Sequence, residues 1–238
     1  MRFPHLVPAT FLDRPNRFRA VVRVNGEHSS AHVASPGRME ELLLPGRRVW
    51  LKPAAAPHRV TDYDLKLVEH DGHLVSVDSR LPNALFAEAL ERGRIDFARP
   101  YPEVRAEVRR GASRLDFRLS GTKGDCWVEV KSVNLVEDGI ALFPDAPTVR
   151  GRRHVLELAE IAAEGGCAAA VFVIQRSDPE ACAPHALADP DLAQAIAYAL
   201  ARGVILRAYT CDVSLSAIQI VRRVPFLAPC ELWPMRPD

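Results

Sequence analysis

Near Asp78 the chain changes its period, and that change restricts the folds open to it more than any other feature. Before it, short runs alternate apolar and polar residues at period 2, as half-buried strands do. After it, helical and strand-like stretches take turns. In the first part, residues 18–24 are rich in β-branched and basic side chains. They run into Asn25-Gly26, a two-residue hairpin signal, with 28–34 as the return strand. Ser35-Pro36-Gly37 breaks the chain, a short helix is expected over 39–44, and Pro45-Gly46 stops it. Further strands are expected over 47–52, 63–69 and 74–77. Five or six short strands around one small helix predict a small β-barrel, with the OB-fold as one candidate.

In the second part, residues 81–92 form a helix with apolar positions Leu81, Leu85, Phe86, Ala89 and Leu90, ended by Gly93. Strand-like runs follow at 104–109, 115–119 and 127–136, then a long helix over 149–164 that stops at Gly165-Gly166. An apolar strand at 168–174, a helix at 191–202 and a strand at 204–210 complete the order α-β-β-β-α-β-α-β. That order predicts an α/β domain, with helices flanking a central mixed sheet. The expected division is 1–80 and 81–238, with an irregular, proline-containing stretch from Pro225 onward.

The whole chain has a net charge of only +1, so overall charge points to no polyanion. Its distribution does. Up to Thr61 there are ten basic residues against four acids, a local charge of +6. Such a lobe attracts nucleic acid, a solvated basic surface being the alternative. Five scattered cysteines (Cys126, Cys167, Cys182, Cys211 and Cys230), none in a C-x-x-C pair, argue against a disulfide framework and a zinc ribbon. The first residues lack the apolar run of a signal peptide, and the most apolar stretch, 167–174, is too short to span a bilayer. A soluble, cytoplasmic protein without membrane partners is expected.

The chemistry concentrates at 126–133. Period-2 geometry puts Glu129 and Lys131 on one face of an otherwise apolar strand, opposite Val128 and Val130. Opposite charges there are costly unless paired, hydrated or bound to a cation. An E-x-K pattern alone is as well explained by an ordinary ion pair. The preceding strand, however, carries Asp116 amid apolar neighbours, and a hairpin through 121–125 would bring it across from Glu129. Two carboxylates so close repel and call for a cation, and hard oxygen ligands suit Mg²⁺ or Mn²⁺. The expected metal site is Asp116, Glu129 and the Val130 carbonyl, with Lys131 beside the attacking water. This is the arrangement of PD-(D/E)xK nucleases, and Glu88 on the preceding helix either completes the acidic cluster or is a surface acid.

These motifs, with SRLDF at 113–117, VEVKSV at 128–133 and FPDAPTVRGRRH at 143–154, make the chain resemble the sugar fermentation stimulation protein family (SfsA). PGRM at 36–39, FVIQR at 172–176 and Gly203-Val204 agree, so the likeness spans nearly the whole chain. It implies an OB-like first domain, a PD-(D/E)xK-like second domain and DNA binding. Its catalytic pattern falls on Glu88, Asp116, Glu129 and Lys131. Many members carry an asparagine where this chain has Ser35.

The string at 143–154 also has a physical reading. Pro144 and Pro147 stiffen a loop, Thr148 can cap the following helix, and Arg150, Arg152, Arg153 and His154 put cations in its first turns. Cations there oppose the helix dipole, so a phosphate ligand for Arg150 and His154 explains them better. Gln175, at the end of the next strand, is a candidate substrate contact. In the barrel, Arg17, Phe18, Arg19 and Arg23 interleave cations with an aromatic, as nucleic-acid-binding OB surfaces do, although Phe18 suits a core equally well. Arg38 follows a Pro-Gly turn whose amides can receive phosphate. His28 and His32 lack metal-ligand geometry on a strand and read as ordinary surface or core histidines. The expected function is metal-dependent hydrolysis of DNA, with RNA as a second substrate. The alternative is a DNA-binding regulator of sugar metabolism that keeps a nuclease fold without turnover. Oligomeric state stays open, with a homodimer among the options.

Overall fold

The computed structural model describes residues 1–54, 59–111 and 113–228. Six strands build the first domain: β1 (Val7–Asn16), β2 (Arg19–Val24), β3 (Glu27–Val33), β4 (Arg48–Pro53), β5 (Tyr63–His70) and β6 (His73–Ser76). They run in the order β3-β2-β1-β4-β5-β6, and a parallel pairing of β3 with β5 closes the first five into a barrel. Closure leaves one inward face, so alternate residues such as Phe11, Val22, Val33, Leu51 and Leu65 fill a single core.

Two sequence expectations change here. No helix forms at 39–44; the Met39 carbonyl accepts from the amides of Leu42 (3.2 Å) and Leu43 (2.9 Å) in one turn. Between Gly37 and Pro45 too few residues remain to repay helix nucleation. The turn instead drops Met39 and Leu42 into the barrel end, where both are fully buried. β1 was hidden by its prolines. Pro8 pairs with Trp50 of β4 beyond the last rung that β1 shares with β2, and Pro15 lies in a register shift between Asp13 and Asn16.

The second domain runs α1 (Leu81–Glu91), β7 (Glu103–Arg110), β8 (Ser113–Gly121), β9 (Gly124–Val133), β10 (Val136–Glu137), β11 (Ile140–Phe143), α2 (Val149–Ala163), β12 (Cys167–Ile174), β13 (Ala181–Pro184), α3 (Pro190–Ala201), β14 (Ile205–Val213) and β15 (Ile218–Val224). A mixed sheet is ordered β15-β14-β12-β9-β8-β7, with parallel pairing only along β9-β12-β14. α2 and α3 cover one face and α1 the other. Thr148 caps α2 as expected, its hydroxyl accepting from the Gly151 amide at 3.0 Å.

The strand β15 and the small ladder β10-β11-β13 were not expected from periodicity. Nor was the disulfide between Cys126 and Cys167, which are 41 residues apart but directly opposed in the β9–β12 register. Cys182 and Cys211 are buried thiols, and Cys230 lies outside the described residues. The expected irregular tail is ordered at least to Phe226, which stacks on Phe172 at 4.6 Å; its last part, 229–238, lies outside the described residues. Among the described residues no helix is long and apolar enough to cross a membrane.

Candidate active site

β9 alternates as its sequence requires. Cys126, Val128 and Val130 pack toward α1, which leaves Glu129 and Lys131 on the side of α2. β8 pairs with β9 only up to Phe117 opposite Val128. Beyond that rung Leu115 joins the α2-side core while Phe117 joins the α1-side core, so the strand turns over at Asp116. The residue facing Asp116 across β7, Glu107, has a φ of +58° and drops out of the ladder. In place of a backbone rung, Asp116 Oδ2 accepts from the Val130 amide at 2.8 Å. Its Oδ1 accepts from Asn83 Nδ2 of α1 at 2.9 Å.

Glu129 is 3% exposed. Its Oε1 accepts from Lys131 Nζ at 2.7 Å and from His154 Nδ1 on α2. A carboxylate oxygen can only accept, so His154 carries a proton on Nδ1. Both donors crowd one oxygen. The other, Oε2, is buried with no hydrogen-bond partner among the described residues. Burial would push the Glu129 carboxyl up, but His154 and Lys131 outweigh it and hold the group ionised, below its ordinary range. Asp116 goes the other way: burial and then the charge of Glu129 push its carboxyl up, against the Val130 and Asn83 hydrogen bonds. A buried, charged, unpartnered oxygen beside a second carboxylate is a site that fits a hard cation. No group of three or more His, Cys, Asp or Glu able to hold a metal occurs among the described residues. A cation here would therefore take two carboxylates and fill its shell with main chain, water or substrate, as Mg²⁺ does.

Several sequence-predicted residues land elsewhere. Glu88 does not join the cluster: it binds the amino group of Met1 at 2.6 Å and Arg92 at 2.5 Å. Five residues separate it from Asn83, about 140° around a helix, so the two cannot serve one site. The α1 contact to the acids is Asn83, which sequence reasoning passed over because a lone asparagine in a first helical turn has no distinguishing pattern. His154 is 2% exposed and is a partner of Glu129 rather than an exposed phosphate contact, because α2 turns it under Arg150 toward the sheet. Gln175 is fully buried. It links the domains instead of meeting substrate: Ser76 Oγ donates to its Oε1 at 2.8 Å and its Nε2 donates to Ser132 Oγ at 2.9 Å.

A cleft of about 310 Å³ lies between the domains and reaches Ser132, the chain neighbour of Lys131. Ser132, Asn134 and the loop at 144–148 form one wall; Arg17, Ser35, Pro36, Gly37 and Ser79 form the other. The walls are clasped together. Asp145 Oδ2 accepts from the Met39 amide at 2.8 Å, and a Cβ on Gly37 would come within 2.6 Å of the same oxygen. Arg14, unremarked in the sequence, gathers the carbonyls of Arg17 (2.7 Å), Gly37 (2.9 Å) and Arg38, which shapes this edge. Arg38 and Arg150 are exposed, within two residues of the cleft lining in the chain, while Arg19 lines a second cavity, on the barrel.

A closed OB-type barrel joined to a three-helix mixed sheet that carries a buried carboxylate–lysine cluster defines a class of two-domain proteins. The first domain matches the family model described as the SfsA N-terminal OB domain over residues 12–77. The second matches the sugar fermentation stimulation protein RE domain over 80–217. The chain belongs to the sugar fermentation stimulation protein (SfsA) family. It is 48% identical to a sugar fermentation stimulation protein homolog of Moorella thermoacetica, over 92% of this chain and 96% of that one. A homolog from Chloroflexus aurantiacus is 44% identical, over 94% and 86%. The solved structure of Pyrococcus furiosus SfsA in complex with Ca²⁺ is 32% identical, covers 95% of this chain and 98% of that one, and superposes with a TM-score of 0.86.

Proposed function

We propose that this protein is a metal-dependent nuclease of the cytoplasm that hydrolyses phosphodiesters in DNA, with RNA as a second substrate. The observation that carries the reading is the unpartnered, buried Oε2 of Glu129 next to Asp116. The Ca²⁺ complex of Pyrococcus furiosus SfsA supports it, because Ca²⁺ and Mg²⁺ share a preference for carboxylate oxygen. When bound, Mg²⁺ or Mn²⁺ supplies Lewis-acid stabilisation of the charge that builds on the phosphate and lowers the pKa of water.

The chain's own groups do the rest. Asp116 and Glu129 provide the anionic oxygens, and Asn83 and the Val130 amide fix the first of them. His154 and Lys131 hold Glu129 by one oxygen and leave the other, buried one unpartnered. Lys131 Nζ has further hydrogens to orient the attacking water. Arg17 lines the cleft, Arg38 and Arg150 are exposed within two residues of its lining in the chain, and all three can take flanking phosphates. Cleavage of labelled single-stranded DNA, duplex DNA and RNA, with Mg²⁺, Mn²⁺ or EDTA, tests the reading. Cutting that needs metal and disappears in Lys131→Ala supports it. Binding without cutting under every metal would reassign the protein as a DNA-binding regulator.

A further inference from the structure

The interdomain cleft has a second cavity close by. This second cavity, of about 620 Å³, opens on the barrel and is lined by Asn16, Phe18, Arg19, His32, Arg59 and Arg80, with Val60 and Thr61 at its rim. Two pairs of chain neighbours divide between the two cavities. Arg17 lines the cleft and Phe18 the barrel cavity; Ser79 lines the cleft and Arg80 the barrel cavity. A path from the barrel face to Ser132, the chain neighbour of Lys131, would cross these two pairs.

The barrel end of this path is built for an anion that carries a flat group. Arg80 is gripped by Asp78, which accepts from its Nε at 2.8 Å and its Nη2 at 2.7 Å, so Nη1 stays available. Arg59 donates a single hydrogen bond from Nη2 to Asp64 Oδ1 at 2.6 Å and another to the Thr61 hydroxyl at 3.3 Å. Both carboxylates are buried beneath their arginines, which leaves cationic groups uppermost in fixed positions. Arg19 adds an exposed cation. Phe18 is 49% exposed, although burial would stabilise a phenylalanine and the rest of the barrel core is sealed. An aromatic face set among arginines is how proteins receive unpaired bases along a phosphate chain.

We infer that the path from the Phe18–Arg80 cavity to the interdomain cleft is a track for single-stranded nucleic acid, which fixes the substrate class of the proposed nuclease as an unpaired strand or end. A duplex keeps its base faces inside the stack and cannot present one to Phe18. The inference rests on the nuclease reading for its direction, toward Lys131, but binding along the track needs no turnover.

The test is fluorescence anisotropy of labelled twelve-nucleotide oligothymidylate and oligouridylate, and of a twelve-base-pair duplex, all in EDTA so that cleavage plays no part. Single strands should bind more tightly than the duplex. Phe18→Ala should weaken single-strand binding roughly five- to a hundredfold and leave duplex binding nearly unchanged. Phe18→Trp should restore affinity, with its fluorescence quenched as a base stacks on it. The thymidylate and uridylate arms separate DNA from RNA within the same class. Equal affinity for the duplex, or undiminished single-strand binding by Phe18→Ala, overturns the track even if the nuclease assay succeeds. A failed nuclease assay with these binding results intact removes the catalysis and leaves the track.

Discussion

Two buried lysine–carboxylate pairs stand on either side of the domain junction, and they are finished differently. In the barrel, Lys66 donates to Asp78 Oδ2 at 2.5 Å, and Arg80 adds its backbone amide and two guanidinium hydrogens, so both oxygens of Asp78 are saturated. Burial opposes the charge there, yet Arg80 and Lys66 hold the carboxyl down at about 2. In the mixed sheet, Glu129 takes Lys131 and His154 on one oxygen and leaves the other bare. A saturated buried pair has nothing left to offer a ligand and serves the fold. An unsaturated one carries a desolvation cost that only a ligand relieves. The number of carboxylate lone pairs left over, and not burial or charge, separates the structural pair from the candidate site.

This contrast can be broken at its sharpest point first. Glu129→Gln should lower metal-dependent cleavage on the order of a thousandfold or more while the protein stays folded, with a modest fall in melting temperature because Lys131 and His154 lose their counter-charge. A variant that unfolds while binding and cleavage fall together would mark Glu129 as structural. Asp78→Asn should do the reverse. It strands Lys66 without its counter-charge and should cost about 3–5 kcal/mol in urea unfolding, with any loss of cleavage explained by the unfolded fraction.

The acid response sharpens the same difference. Asp78 ionises more readily folded than unfolded, so its contribution of about 2 kcal/mol is complete above roughly pH 4. It should fade as pH falls toward about 2. Wild type should show that loss in acid titrations of stability, and Asp78→Asn should not.

Smaller effects follow. His154→Gln keeps a donor but moves it, and should weaken Ca²⁺ or Mn²⁺ binding about ten- to a hundredfold by calorimetry, with stability little changed. Unaltered metal affinity would show that His154 does not position Glu129. An effect of opposite sign to that of Asp78 is expected at Glu41, whose carboxyl is pushed up to about 7, first by burial and further by Asp145 across the junction. A raised acid costs stability as pH climbs above its unfolded value, so Glu41→Gln should raise the melting temperature clearly at pH 8 and much less at pH 5.

How much was legible in the sequence depended on how local the signal was. The hairpin at Asn25-Gly26, the Thr148 cap and the alternation around Glu129 and Lys131 lie within a few residues of their causes, and all appear in the structure. The helix at 39–44 failed because a compatible composition was too short between its breakers to nucleate. β1 failed because its prolines are tolerated only by the particular rungs that its neighbours leave open. At the site, Asp116, Glu129 and Lys131 were legible as residue types on adjacent strands. Asn83, the inward turn of His154 and the diversion of Glu88 to Met1 depend on how the helices rotate against the sheet, which periodicity does not specify.

By itself, the sequence determined the two periodic regimes, the strands and helices of each and the charge pair in the middle of β9, because those follow from backbone geometry and from which side chains avoid water. Only the tertiary structure decided which polar atoms were left without partners. Gln175, a plausible substrate contact on paper, became a bridge between domains, and His154, a plausible phosphate ligand, became a clamp on Glu129. The physical reason is that hydrogen-bond saturation is a property of a packed environment: a carboxylate's last lone pair is filled or left open by groups that arrive from distant parts of the chain.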